Sequence, residues 1–333
     1  MDMRRWVNDV ISCTKKKALP VLSFPIVQKM GLNVNDFISD ADTQAKGMYE
    51  LTKIVDSYAS LSPMDLSVEA EAFGSEIIKD DWEVPSVTGS IISSEEEADA
   101  LTVPEPGTGR TAVNIEAARR ASRLIKDKPV LAGVIGPFSL AGRLMDVSEA
   151  MIYCYDEPDM VHKIMRKVTD YLREVILKYK EAGASGVIMA EPLTGILSPD
   201  LAEEFSMPYV KEIIDAVQDD EFIFVYHNCG NNTPYMAEGI FGLGAWAYHF
   251  GNAADITVLL EKAPKDAIVM GNVNPADILN GTPDLVRQET LELLEKCSKY
   301  PNYVPSSGCD IPPKSPWENI NAFFSAVDEF YDR

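Results

Sequence analysis

From about residue 129 onward, short apolar runs alternate with longer stretches whose apolar residues recur every three or four positions. This is the pattern of parallel strands joined by crossover helices. Six runs stand out: PVLAGVI (129–135), GVIMA (186–190), FIFVY (222–226), AWAYHF (245–250), AIVMGNV (267–273) and YVPSS (303–307). Between the first two, Met160, Val161, Ile164, Met165, Val168, Tyr171, Leu172 and Val175 mark one apolar face of a helix. A second helix is predicted over 282–297, with Pro283 just inside its start and Val286, Thr290, Leu293, Leu294 and Cys297 along one stripe. Upstream, ALPVLSF (18–24) predicts a strand, residues 42–58 a helix and PMDLSV (63–68) a weaker strand, eight strands in all. Eight strands alternating with helices predict an α/β chain folded as a single (β/α)8 TIM barrel over 1–333. A doubly wound sheet is disfavoured because no glycine-rich turn follows the first strand. Residues 71–94 predict an added β-hairpin, and EEEADA (95–100) a solvated helix start.

Charge narrows the partners. Lys and Arg total 30 against 52 Asp and Glu, a net charge of −22, which is the wrong sign for neutralising nucleic-acid phosphates or anionic lipid. With 46% hydrophobic and 25% charged residues the chain has enough apolar material for a core and is not of disordered composition. Residues 1–17 hold no apolar block of signal-peptide length, and no apolar stretch approaches the roughly 20 residues of a membrane span, so a cytoplasmic location is expected. No phosphate-binding glycine motif occurs, which leaves nucleotide binding unsupported. The five cysteines, Cys13, Cys154, Cys229, Cys297 and Cys309, are too sparse for a disulfide framework and are therefore packing residues, ligands or nucleophiles.

The chain has only three histidines, His162, His227 and His249, yet His227 stands two residues before Cys229. The pair directly follows FIFVY, and Cys309 follows YVPSS, so all three fall at C-terminal ends of predicted barrel strands, where such barrels build their sites. One imidazole and two thiolates suit Zn²⁺, and three visible ligands rather than four favour a catalytic ion with an open position over a structural one. Two thiolates cancel the metal's charge, leaving a centre able to hold an incoming thiol as a nucleophilic thiolate. Glu191, at the end of GVIMA, is the candidate catalytic carboxylate: a fourth ligand when substrate is absent, a proton acceptor behind the ligands, or a substrate-binding group. His249 either lines the site or is a satisfied core histidine. His162 reads as a surface or packing residue, and Cys13, Cys154 and Cys297 as small packing residues.

Six segments carry a resemblance: MDLSVEAEAFG (64–74), GVIGPFSLAGRLM (133–145), AEPLTGILSP (190–199), YHNCGNNTPYM (226–236), GNVNPADIL (271–279) and SSGCDIPPKSPWENI (306–320). Through them the chain resembles the uroporphyrinogen decarboxylase superfamily, and within it the zinc-dependent corrinoid methyltransferases of the methylcobalamin:coenzyme M methyltransferase type. The resemblance implies a barrel, zinc held by His227, Cys229 and Cys309, and methyl transfer between a corrinoid (methylcobalamin) and a small thiol or other small methylated molecule, in a direction the residues leave open. None of the three histidines has Asp two residues before it, as a D-x-H-x-x-G corrinoid motif requires, so the corrinoid is expected on a separate carrier protein. Gly136, Gly142, Gly271 and Asn272, in small-residue turns after two of the strands, are expected to border the mouth that admits it. The alternative is decarboxylation of a tetrapyrrole. Against it, the decarboxylases carry an arginine-containing segment after the first strand where this chain has SFPIVQKMG, with no arginine between Arg5 and Arg110. A cobalamin-independent methionine synthase-like methylase and a zinc-stabilised binding protein are the remaining readings.

Overall fold

The computed structural model describes residues 1–332. Nine strands occur in chain order: β1 (Ser60–Leu61), β2 (Glu76–Ile78), β3 (Ser86–Thr88), β4 (Val130–Ile135), β5 (Gly186–Ala190), β6 (Ile223–Asn228), β7 (Ala247–Phe250), β8 (Ile268–Val273) and β9 (Tyr303–Ser307). Seven form one curled parallel sheet in the order β1-β4-β5-β6-β7-β8-β9, while β2 and β3 pair antiparallel on their own. With helices such as Pro158–Glu181, Met207–Val217 and Pro283–Cys297 between the strands, the result is a TIM-barrel-like α/β fold. Among the described residues no helix is long and apolar enough to cross a membrane.

Two predicted strands fall differently. ALPVLSF forms no regular strand, because Pro20 has no N–H to give a ladder. The stretch still touches both sheet edges: Leu19 N–H donates to Pro305 (2.9 Å), and Ala18 bridges to Ser57 and accepts from Tyr58 N–H (3.2 Å). PMDLSV is the loop after β1 rather than a strand. The strand ends just before Pro63, and Asp65 then takes the N–H and hydroxyl of Ser67, a turn that leads into the helix Val68–Phe73. A third difference favours the site, since β6 runs on through His227 and Asn228 instead of stopping at Tyr226.

The strands are continuous apolar runs because both of their faces are covered. Alternate residues point inward, and Leu131, Ile188, Val225, Ala247, Ile268, Met270 and Val304, with Leu19, Val21 and Leu61, pack together as an inner core. The intervening positions, among them Val134, Val187, Met189, Phe224 and Val269, belong to the larger core shared with the helices. Following the same alternation toward the C-terminal ends, the inward series Ile223–Val225 reaches His227, Ala247 reaches His249, and Val304 reaches Ser306. The apolar interior therefore ends in a polar layer.

Candidate metal centre

The parallel register pairs His227 of β6 directly with His249 of β7, so the two imidazoles stand on the same side of the sheet. Beyond the strand, Asn228 accepts the N–H of Gly230 (2.9 Å), which bends the chain at Cys229. The loop after β7 backs that bend, with Gly251 N–H bonded to the Asn228 carbonyl (3.1 Å). From the far side of the sheet, Gly308 N–H bonds the Val273 carbonyl (2.6 Å) and delivers Cys309 to the same place. The ligand atoms of His227, Cys229 and Cys309 all lie within 4.8 Å of one another, with Cys309 Sγ 3.6 Å from His227 Nε2. Among the described residues this is the one group of three or more His, Cys, Asp or Glu side chains so gathered.

The chemistry of the set favours a thiophilic cation. Hydrogen bonding from Cys309 draws the Cys229 thiol down to about 7. The same contact, with burial, pushes Cys309 up to about 12. Zinc sites with thiolate and imidazole ligands place ligand atoms roughly 3.5 Å apart; Cys309 Sγ and His227 Nε2 meet that spacing at 3.6 Å, and the whole set lies within 4.8 Å. Behind it, the fully buried His249 sets its Nδ1 2.6 Å from His227 Nδ1 and its Nε2 2.8 Å from Ser306 Oγ.

The sequence model for uroporphyrinogen decarboxylase matches residues 20–330. The chain belongs to the uroporphyrinogen decarboxylase family. Relatives in this family carry two kinds of name. The methylcobamide:CoM methyltransferase MtbA of Methanosarcina acetivorans is 27% identical over 282 residues, covering 80% of this chain and 78% of the relative. A uroporphyrinogen decarboxylase of Psychromonas ingrahamii is 25% identical over 320 residues, covering 92% and 89%. In fold, the chain is similar to a methyltransferase from Methanosarcina mazei, with a TM-score of 0.85 at 24% identity over 99% of this chain and 98% of that one.

The family's glycine-rich segments serve internal packing in this chain. Glu191 is fully buried, outside the His–Cys–Cys group, and its carboxylate accepts the N–H groups of Phe138 (3.1 Å) and Ser139 (2.7 Å) at the start of the helix Pro137–Met145. Burial pushes its carboxyl up to about 7 against the pull of those donors. A side chain at Gly136 would fall on that carboxylate, and one at Gly142 would fall 2.5 Å from Leu193 Cδ1. Asn272, which follows Gly271 through a cis peptide, donates to the carbonyls of Gly251 and Ala254 (both 2.9 Å) and so pins the loop behind Cys229. His162 stacks on Phe205 and pairs with the Tyr209 hydroxyl, a packing role. Cys154 and Cys297 are buried on helices, where burial pushes both thiols up to about 12.

Sequence reasoning missed one cluster on the loop after β1. Arg110 pairs with both Asp65 and Glu71 and donates to Ser67 Oγ (2.8 Å). Beside it Glu69 is buried, with Oε2 unpartnered, and burial raises its carboxyl to about 8. The only signal was the run of acids in MDLSVEAE, which resembles a solvated helix face. Because Glu69 ionises at higher pH in the folded chain than in the unfolded one, its contribution to stability is fully present below about pH 4.5 and is lost as pH rises toward about 8. Glu69→Gln is therefore expected to flatten the fall in unfolding free energy over that range by up to about 1.4 kcal/mol per pH unit. Urea melts across the range check it, and an unchanged slope would refute the buried neutral carboxyl.

Proposed function

We propose that this chain is a zinc-dependent methyltransferase, a single barrel domain that moves a methyl group between a corrinoid such as methylcobalamin on a carrier protein and a small thiol. The observation that carries this reading is the convergence of one imidazole nitrogen and two sulfurs within 4.8 Å at the C-terminal ends of β6 and β9. Family relatives named as methylcobamide:CoM methyltransferases support it. Relatives named as decarboxylases are present too, but removing carboxyl groups from a tetrapyrrole gives no use for a His–Cys–Cys set.

In this reading His227, Cys229 and Cys309 hold the ion. Zinc bound there would supply Lewis acidity that keeps a substrate thiol deprotonated at neutral pH. A methylated corrinoid brought to this mouth would supply the methyl group to that sulfur and would keep the electron pair of its broken Co–C bond. Glu191, whose backbone N–H bonds the His227 carbonyl (2.9 Å), serves as the proton acceptor behind the ligands, at Oε2, which accepts the Phe138 N–H at 3.1 Å. Gly136, Gly142, Gly271 and Asn272 shape the rim over which the flat corrinoid approaches, by holding its loops rather than by touching the ring.

Purified protein is expected to carry close to one zinc per chain and, mixed with methylcobalamin and small thiols, to convert the methylcobalamin spectrum to that of Co(I) or its oxidised product. Zinc near zero, or no conversion with any thiol, defeats the reading. Turnover of a porphyrinogen would put the decarboxylase in its place, and methylation of Co(I) by a methylated small molecule would reverse the direction.

A further inference from the structure

We infer that His249 and Ser306 are positioning residues whose hydrogen-bond chain fixes His227 in the tautomer that leaves Nε2 bare and facing the two sulfurs. The inference rests on reading His227 as a metal ligand, and neither His249 nor Ser306 is itself one.

The chain of donors has a fixed start. The Leu19 carbonyl can only accept, and Ser306 Oγ lies 2.7 Å from it, so the hydroxyl hydrogen is committed there. Ser306 Oγ must then accept from its other neighbour, His249 Nε2 at 2.8 Å, which therefore carries a hydrogen. A neutral imidazole has one N–H, so His249 Nδ1 is bare. His227 Nδ1, 2.6 Å away, is left as the donor across the pair. A second pure acceptor, the His249 carbonyl, lies 3.3 Å from the same nitrogen and calls for the same hydrogen. With Nδ1 protonated, His227 Nε2 keeps its lone pair, and it is this nitrogen that stands 3.6 Å from Cys309 Sγ.

The surroundings keep the chain in one state. His249 is fully buried and His227 is 2% exposed, above the inner core of Leu19, Val21, Val225 and Met270. Among the described residues no carboxylate hydrogen-bonds either ring, so a charged imidazole here would be uncompensated in an apolar interior. The chain crosses four segments, from the Leu19 stretch to β9, β7 and β6, so the meeting of these segments sets the electronic state of the ligand. A ligating histidine whose far nitrogen is fixed in this way needs no tautomer change when it binds, and loss of such support typically costs 10–100-fold in metal affinity.

The test uses the full-length chain labelled with ¹⁵N-histidine. In the metal-free wild type, His227 is expected to show a protonated Nδ1 and a bare Nε2, and His249 the opposite. Ser306→Ala removes the acceptor for His249 Nε2–H together with the donor to the Leu19 carbonyl. It is expected to scramble both tautomers and to weaken zinc binding 10–100-fold in competition with a chromogenic chelator. His249→Phe, which deletes the acceptor for His227 Nδ1–H, is expected to weaken zinc binding by a similar factor. A merely structural role would lower the unfolding midpoint and leave the tautomers alone. An Nε2–H tautomer at His227 in the wild type, or wild-type zinc affinity in both variants, overturns the inference. Wild-type protein that binds no zinc but shows the expected tautomers would instead overturn the metal reading and leave the hydrogen-bond chain standing.

Discussion

Cys309→Ala is expected to abolish methyl transfer and to weaken zinc binding on the order of 10²–10³-fold, while the barrel stays folded. The size follows from the ligand count. Sites of mixed thiolate and imidazole ligands bind zinc with roughly 10–16 kcal/mol, and one strong ligand accounts for about a quarter of that. Here two side chains from β6 and its exit would remain, His227 and Cys229, and two donors do not retain the ion against a chelator. The fold should survive because Cys309 is only half-buried and lies past the end of β9, outside the ladder. The substitution also removes the partner that draws Cys229 down, so the Cys229 thiol should titrate closer to its ordinary value. Cys297→Ala is the control, a buried cysteine on a helix outside the His–Cys–Cys group. Metal content after dialysis, a chelator competition and a circular-dichroism melt decide it. Zinc retained at wild-type affinity in Cys309→Ala would remove the foundation of the proposed chemistry.

The His227, Cys229 and Cys309 group was legible before the fold because His-x-Cys is a local pattern and the apolar runs mark where strands end. Other parts of the site were not, for identifiable reasons. His249 and Ser306 become neighbours of His227 only through register, and alternation along one strand says nothing about which residue of the next strand lies opposite. Glu191 was read from its place at a strand end as a fourth ligand, a proton acceptor behind the ligands or a substrate-binding group. Its capping of a helix that starts more than fifty residues earlier is a tertiary contact with no local trace. The glycines at 136 and 142 were read as bordering the corrinoid mouth; that a Cβ there would meet Glu191 or Leu193 is likewise a tertiary contact with no local trace. The first strand was half legible. Its apolar content was correct for the inner core, but Pro20 replaces ladder bonds with contacts to side chains, such as Val21 N–H to Ser307 Oγ (3.0 Å). That irregularity has a use, since it is the Leu19 carbonyl that Ser306 bonds.

Gly251→Ala is expected to damage the centre as a ligand substitution would, although Gly251 offers no ligand. A Cβ there would lie 2.5 Å from Cys229 Cα, 2.6 Å from its Cβ and 2.8 Å from its carbonyl oxygen. These atoms set where Sγ goes, and none is the free end of a flexible side chain. The glycine itself is held, with its N–H on the Asn228 carbonyl and its own carbonyl accepting from Asn272 Nδ2 (2.9 Å), so the loop after β7 cannot simply withdraw. Something must move by about 1 Å, and overpacking of this kind costs roughly 1–3 kcal/mol of stability. Cys229 is the easier part to displace, because it sits in a turn beyond β6 rather than within the ladder. Zinc affinity should therefore fall about 10–100-fold, the range seen when support behind a ligand is lost, and activity should fall with it. Gly242→Ala separates this effect from a general intolerance of alanine: no atom lies within 4 Å of a Cβ at that helical position, so zinc binding should be unchanged and stability equal or slightly higher. If Gly251→Ala matched the wild type in both chelator competition and melting temperature, the close packing of the loop after β7 against Cys229 would not be what positions that sulfur.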